Sequence, residues 1–297
     1  MASAPAISWR ALMHIAECLL LYGLAVSLLA PAVLARVRLG VLAPRLAVAA
    51  WLIALVTVVA GWAAAGAVAA AQAHATASRA LAWILLGALT VRVMWGVCVT
   101  AWQASARRAR HRDGLVLLGR ADNRLGAIVV DSGEAMVYCL PGRRSLIVVT
   151  TAAQQTLSGE QMRAALAHER AHVAGHHHVA LMLAFGLARA VPWLPLFALA
   201  GRHVGLLLEM SADDDAARRH GRTAVAGALA ALSLSAAPAS ALSATGGSVH
   251  LRASRLTGRV PGWRRRGGGL ALASLGALLA AGPYLAVVSP WCLHPWL

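Results

Sequence analysis

Lysine is missing from all 297 residues, so the 27 basic side chains are all arginine. Charge of either sign is scarce, at 13% of the chain, where a soluble domain carries about 25%. That shortage excludes an ordinary soluble domain. Disorder is excluded from the other side, because 59% of the residues are hydrophobic and the mean hydropathy is +0.66, whereas disordered chains are poor in apolar residues. Cysteine is rare too. Cys18, Cys98, Cys139 and Cys292 lie far apart with no C-x-x-C pair, which indicates neither a disulfide framework nor a thiolate zinc site. Only 11 acids oppose the arginines, leaving a net charge of +16. Such an excess suits nucleic acid, anionic lipid or the cytoplasmic flanks of membrane spans.

What is abundant is long apolar sequence. Four segments reach the roughly 20 residues that cross a bilayer, at about 11–34, 46–71, 81–102 and 270–288. Arg36, Arg38 and Arg45 follow the first, and only Arg79 follows the second. Arg107, Arg108, Arg110 and Arg112 follow the third, and Arg264, Arg265 and Arg266 precede the fourth. By the positive-inside rule the first connector and the 103–269 region face the cytoplasm, with both termini external. The arginine clusters read as topological anchors. No aromatic-interleaved basic stripe accompanies them, so no direct nucleic-acid contact is expected. Glu17 and Arg92 are the charges inside spans; hydration near the outer end suits Glu17, and pairing or snorkelling suits Arg92. The expected class is a mainly α, polytopic membrane protein with a small α+β domain between the third and fourth spans.

Residues 113–150 change character. The runs at 125–131, 134–140 and 145–151 are β-rich and separated by Ser132-Gly133 and Pro141-Gly142, which predicts a small antiparallel sheet. Ser158 then stands three residues before Gln161, a capping-box spacing that opens a helix. That helix carries His168-Glu169-Arg170-Ala171-His172, an H-E-x-x-H motif. Residues i and i+4 share a helix face, so both imidazoles reach one zinc ion while Glu169 can act as general base on the attacking water.

A third protein ligand has two sources. His178 fits an H-E-x-x-H-x-x-G-x-x-H spacing in which Gly175 turns the chain. Glu209 begins an E-x-x-x-D one helical hairpin downstream, with Asp213 on the same face, placed to orient a ligating histidine. Topology bears on the choice. The stretch 179–208 is almost wholly apolar, with Pro192, Trp193 and Pro195 near its middle. A single crossing would strand Glu209 opposite His168, and two crossings need about 40 residues. Ligation by Glu209 therefore calls for a broken hairpin that dips into the membrane face. Ligation by His178 makes the segment an ordinary span and turns Arg264–Arg266 outward, against the charge pattern. Elsewhere, His176 and His177 read as polar residues at a helix end, and Asp214 and Asp215 as solvating or capping groups. His220, Arg218 and Tyr138 stand unranked as transition-state stabilisers. Residues 233–250, rich in Ser, Ala and Gly, suggest a flexible connector.

Leu157-Ser158-Gly159-Glu160-Gln161, the H-E-x-x-H, Trp193-Leu194-Pro195-Leu196 and Glu209-x-x-x-Asp213 together resemble the BlaR/MecR-type membrane metallopeptidases. The resemblance extends more distantly to the HtpX and CAAX-prenyl protease type, whose segment before the zinc helix is similar to residues 136–150 and lines the substrate cleft. It covers roughly residues 80–220. It implies a gluzincin domain with one zinc on His168, His172 and Glu209, and Glu169 as base. Ala212 stands where the sensor family often has cysteine, and the chain ends after its fourth span without a penicillin-binding sensor, so β-lactam sensing is not expected. The expected layout is a three-span region at 1–104, a cytoplasm-facing metallopeptidase domain at 105–269 and a final span with a short external tail at 270–297. The expected function is a cell-membrane zinc endopeptidase acting on a protein or peptide at the cytoplasmic face. Its use is either regulatory cleavage of a cytosolic transcriptional repressor or membrane-protein quality control. The competing class is a non-catalytic zinc-binding scaffold or signal transducer, which has no need of a carboxylate in the position of Glu169.

Overall fold

Helix-forming sequence and proline punctuation set the element boundaries. The computed structural model describes residues 9–73, 75–142, 145–235, 242–258 and 260–288, and of these the side chains of 9–13, 37–39, 116 and 242–247 are not described. The sequence-based expectations for Arg38 and for the tail beyond Val288 fall outside the described atoms. The helices α1 (Trp9–Leu34), α2 (Val37–Leu42), α3 (Pro44–Gln72) and α4 (Thr76–Leu118) come first. α3 opens on Pro44, whose missing N–H costs nothing in the first turn of a helix. Strands β1 (Gly119–Asp122), β2 (Ala127–Val130), β3 (Val137–Leu140) and β4 (Leu146–Thr150) follow, then α5 (Thr151–Thr156), α6 (Gly159–Ala174), α7 (His177–Ala190) and α8 (Pro195–His220). The chain continues through α9 (Arg222–Ser235), α10 (Leu242–Thr257) and α11 (Gly262–Val288). Among the described residues four helices contain segments long and apolar enough to cross a membrane: His14–Leu34, Pro44–Gln72, Thr76–Leu115 and Gly262–Val288.

The chain divides into two compact units. One comprises Met1–Thr100, Leu183–His203 and Arg266–Leu297. In it α1 packs along α3, and Trp51 is fully buried with its ring stacked on His203 at a centroid distance of 5.2 Å. Each intraspan charge has a partner. Glu17 meets His14 Nδ1 at 3.3 Å. Arg92 donates from Nε to the carbonyl of Ala190 at 2.7 Å and lays its guanidinium over the Trp193 ring. Ala190 is the last residue of α7, so the cation satisfies a helix C-terminus, where unpaired carbonyls carry partial negative charge. Cys18 is disulfide-bonded, a pairing its isolation in the sequence did not suggest, while Cys98 and Cys139 are free thiols.

The other unit comprises Ala101–Met182 and Val204–Arg265. Its sheet has strand order β1-β2-β4-β3, with β1/β2 and β3/β4 antiparallel. β2 and β4 run parallel, so the sheet is mixed rather than antiparallel throughout, and β1 adds a strand that the apolar runs did not reveal. Gly119-Arg120-Ala121-Asp122 is too polar to register as a strand; it forms because it pairs with β2. β3 lies at the sheet edge beside α6. Ala127, Val149, Ala153, Leu157, Met162 and Leu166 make one core between sheet and helix; Ala164, Ala167, Ala216, Val225 and Leu256 make a second among the helices. The expected connector at 233–250 is helical from Leu242 onward, and residues 236–241 lie outside the described ones.

Candidate metal centre

The Ser158 side chain accepts from the Gln161 backbone N–H, and the Gln161 side chain accepts from the Ser158 N–H, completing the capping box that starts α6. Three turns on, α6 presents His168, Glu169 and His172. Glu209 and Asp213 come from α8. The break between α7 and α8 falls at residues 191–194, where Pro192 and Pro195 place it, so the chain returns and brings Glu209 to the two histidines. Nε2 of His168 and Nε2 of His172 lie 3.0 Å apart, and each is 3.4 Å from a different oxygen of Glu209. Among the described residues these three side chains form the cluster with ligand atoms near enough to share an ion. Tetrahedral zinc with bonds of about 2.0–2.2 Å holds neighbouring donors about 3.3–3.6 Å apart, so the two-imidazole, one-carboxylate set fits that ion and leaves a fourth position open.

Charge in the cluster is balanced. Asp213, 1% exposed, takes His168 Nδ1 at 3.0 Å. Arg252 on α10 closes on Asp213 with Nε and Nη2, both at 2.8 Å, and reaches Glu209 Oε2 with Nη1 at 2.9 Å. Burial alone would raise both carboxyls, yet the His168 and Arg252 contacts hold Glu209 and Asp213 at about 2. Burial would likewise lower His168, but the Asp213 and Glu209 carboxylates carry it up to about 9. His172 has no such carboxylate at Nδ1, and burial takes it down to about 4. Glu169 is raised, chiefly by burial. The Cys139 thiol on β3 donates to Glu169 and is itself pushed up to about 12, first by burial and then by that carboxylate.

The structure thus brings together all five residues singled out from the sequence: His168, Glu169, His172, Glu209 and Asp213. His178 is left aside. α6 does break at Gly175, the condition for His178 to swing inward, but the residue carried back is His177, which is buried with Nδ1 2.9 Å from His172 Nδ1. A helix-end polar role for His177 is therefore replaced by a buried one. Asp214 pairs with Arg255 at 2.5 Å and Asp215 with Arg218. The cavity beside the cluster is lined by Arg252 but by none of Tyr138, Arg218 and His220; Tyr138 instead bonds His111 at 2.7 Å. Arg252 lies two residues past the 233–250 stretch expected to be a connector, in a segment where the sequence pattern marks no site. The available signal was Arg252 and Arg255, spaced i, i+3, against the acidic run Asp213–Asp215. Val225, Ala228, Leu229 and Leu232 give the cavity an apolar lining.

Residues 118–255 match the family model of peptidase family M48, a segment that contains every member of the cluster from His168 to Arg252. Peptidases of that family are zinc-dependent. No curated protein and no solved structure matches the chain.

Proposed function

From this match we propose that residues 118–255 form a working zinc endopeptidase of the gluzincin type, with a protein or peptide as substrate. The observation that carries the reading is the triangle of His168, His172 and Glu209 donors with Glu169 next to it on the same helix. Zinc, when bound there, supplies Lewis acidity that polarises the scissile carbonyl and makes water a better nucleophile. Glu169 takes the proton of the attacking water and returns it to the leaving amine, and its raised pKa brings it nearer to a general base matched to neutral pH. Asp213 holds His168 by Nδ1, and Arg252 holds Asp213 and Glu209 together. The apolar wall of Val225, Leu229 and Leu232 suits an apolar substrate side chain. A scaffold function makes no use of Glu169.

Two finer readings belong to the same proposal. The Trp193-Leu194-Pro195 segment and the three preceding apolar helices support kinship with BlaR/MecR-type peptidases, hence regulatory cleavage of a cytosolic repressor; quality control of membrane proteins is the competing use. The four apolar helices and the one-sided arginine clusters support a multi-pass cell-membrane protein with external termini and a cytoplasmic site. Reporters fused after Arg112 and after Arg266 are expected inside; either one outside would overturn that orientation. The test of function is the full-length protein in detergent, wild type against Glu169→Gln. Both should hold one zinc, while cleavage of casein should fall by at least 100-fold in the variant. A variant that loses zinc, or that still cleaves, would overturn the assignment.

A further inference from the structure

The turn after α6 is unusual in its backbone. Gly175 caps the helix, and His176 then adopts φ of 50°, a left-handed conformation uncommon outside glycine. The result is that α7 starts with the ring of His177 folded back over the last turn of α6. A Cβ at residue 175 would sit 2.5 Å from His177 Nε2 and 2.6 Å from its Cδ2, so a glycine is required to leave that space to the ring. The His172 and His177 rings meet edge-on, with centroids 4.8 Å apart, and their Nδ1 atoms are within hydrogen-bond distance.

Two ring nitrogens 2.9 Å apart share one proton. His172 can offer Nε2 to a metal only when that nitrogen is bare, which places the proton of the neutral ring on Nδ1. We infer that His177 is a positioning residue for the metal centre: its Nδ1 accepts the Nδ1–H of His172 and so fixes the tautomer and ring plane that aim Nε2 at the cluster. His168 receives the same service from a carboxylate, Asp213. His172 receives it from a second imidazole, delivered by the Gly175–His176 turn. The inference rests on His172 being a ligand.

The experiment compares His177→Asn, which keeps an acceptor close to the Nδ1 position, with His177→Leu, which keeps bulk without one. Full-length protein in detergent is stripped of metal and titrated with zinc against a chromophoric chelator; cobalt is added separately and its visible absorption recorded. Loss of an outer partner of a metal-ligating histidine typically costs about 10–100-fold in affinity. His177→Leu should show that loss with an altered cobalt band, and His177→Asn should stay within about threefold of wild type. Zinc binding by His177→Leu equal to wild type would overturn the inference, as would equal impairment of both variants. Should His177→Leu fail to fold, 15N-histidine spectra of zinc-loaded wild type decide. Protons on His172 Nδ1 and His177 Nε2 support the inference, and the reverse tautomers defeat it. A wild type that binds no zinc would instead remove the metal reading on which the inference stands.

Discussion

Arg252 and Asp213 meet fork to fork, two nitrogens of one plane each 2.8 Å from a different oxygen of the other, with the carboxylate almost wholly inaccessible. Removing one member of a buried pair costs about 3–5 kcal/mol, because the other charge is left unpaired. Arg252→Met should accordingly destabilise the protein by about 3 kcal/mol in denaturant titrations. Adding Asp213→Asn should recover part of the loss. An Arg252→Met protein as stable as wild type would show that the pair carries no net weight.

The third ligand is decided by comparing Glu209→Gln with His178→Ala. The first replaces a carboxylate that touches both histidine Nε2 atoms and should weaken zinc binding by at least 10-fold. The second removes a ring whose Nδ1 is buried without a hydrogen-bond partner among the described residues and should leave zinc content unchanged. The reverse pattern would point to ligation through His178.

A metal bound at His168 would compete with its proton. In the metal-free protein its pKa is carried up to about 9 from 6.5. A group raised on folding stabilises fully below its unfolded value and loses that contribution as pH climbs, here from 6.5 through about 9. Asp213, lowered from 3.8 to about 2, contributes above 3.8 and loses its share as pH falls toward 2. These two groups place the greatest metal-free stability between those windows, from about pH 4 to 6.5. At pH 7 zinc must displace the His168 proton, so binding should release close to one proton. Calorimetry in buffers of different ionisation heat measures it; no release would contradict the assignment of charge.

Close approach of α4 and α7 depends on two glycines. A Cβ at Gly96 would lie 2.5 Å from the Gly186 carbonyl oxygen, and one at Gly186 would lie 2.8 Å from Val97 Cα. Gly96→Ala should destabilise by about 1–3 kcal/mol, the usual cost of overpacking, seen as a lower melting temperature in detergent. Gly87→Ala, where nothing among the described residues stands within 4 Å, is the control and should be neutral or slightly stabilising.

The candidate metal cluster was legible in sequence because its pattern is local: His168 and His172 are one turn apart, and so are Glu209 and Asp213. The proline break between α7 and α8 was legible for the same reason. What joins separate segments was not. β1 forms by pairing and not by its own preference, and Arg252 gains meaning only once α10 stands opposite Asp213. The sheet was read as antiparallel because adjacency in sequence suggests hairpins, whereas β4 passes beside β3 to pair with β2. His177 departs from its sequence pattern for another reason. A run of three histidines after a helix looks like solvent-facing polarity until the turn at His176 folds one of them back.

Because the donors are drawn from α6 and α8, with all of α7 and its returning bend strung between them, an ion held there is also a cross-link that closes a long loop. Closing such a loop restricts the unfolded ensemble as a covalent tie would. A chelator would then undo a fastening, so the bend near Trp193 becomes a place where loss of metal can be read as new susceptibility to an added protease.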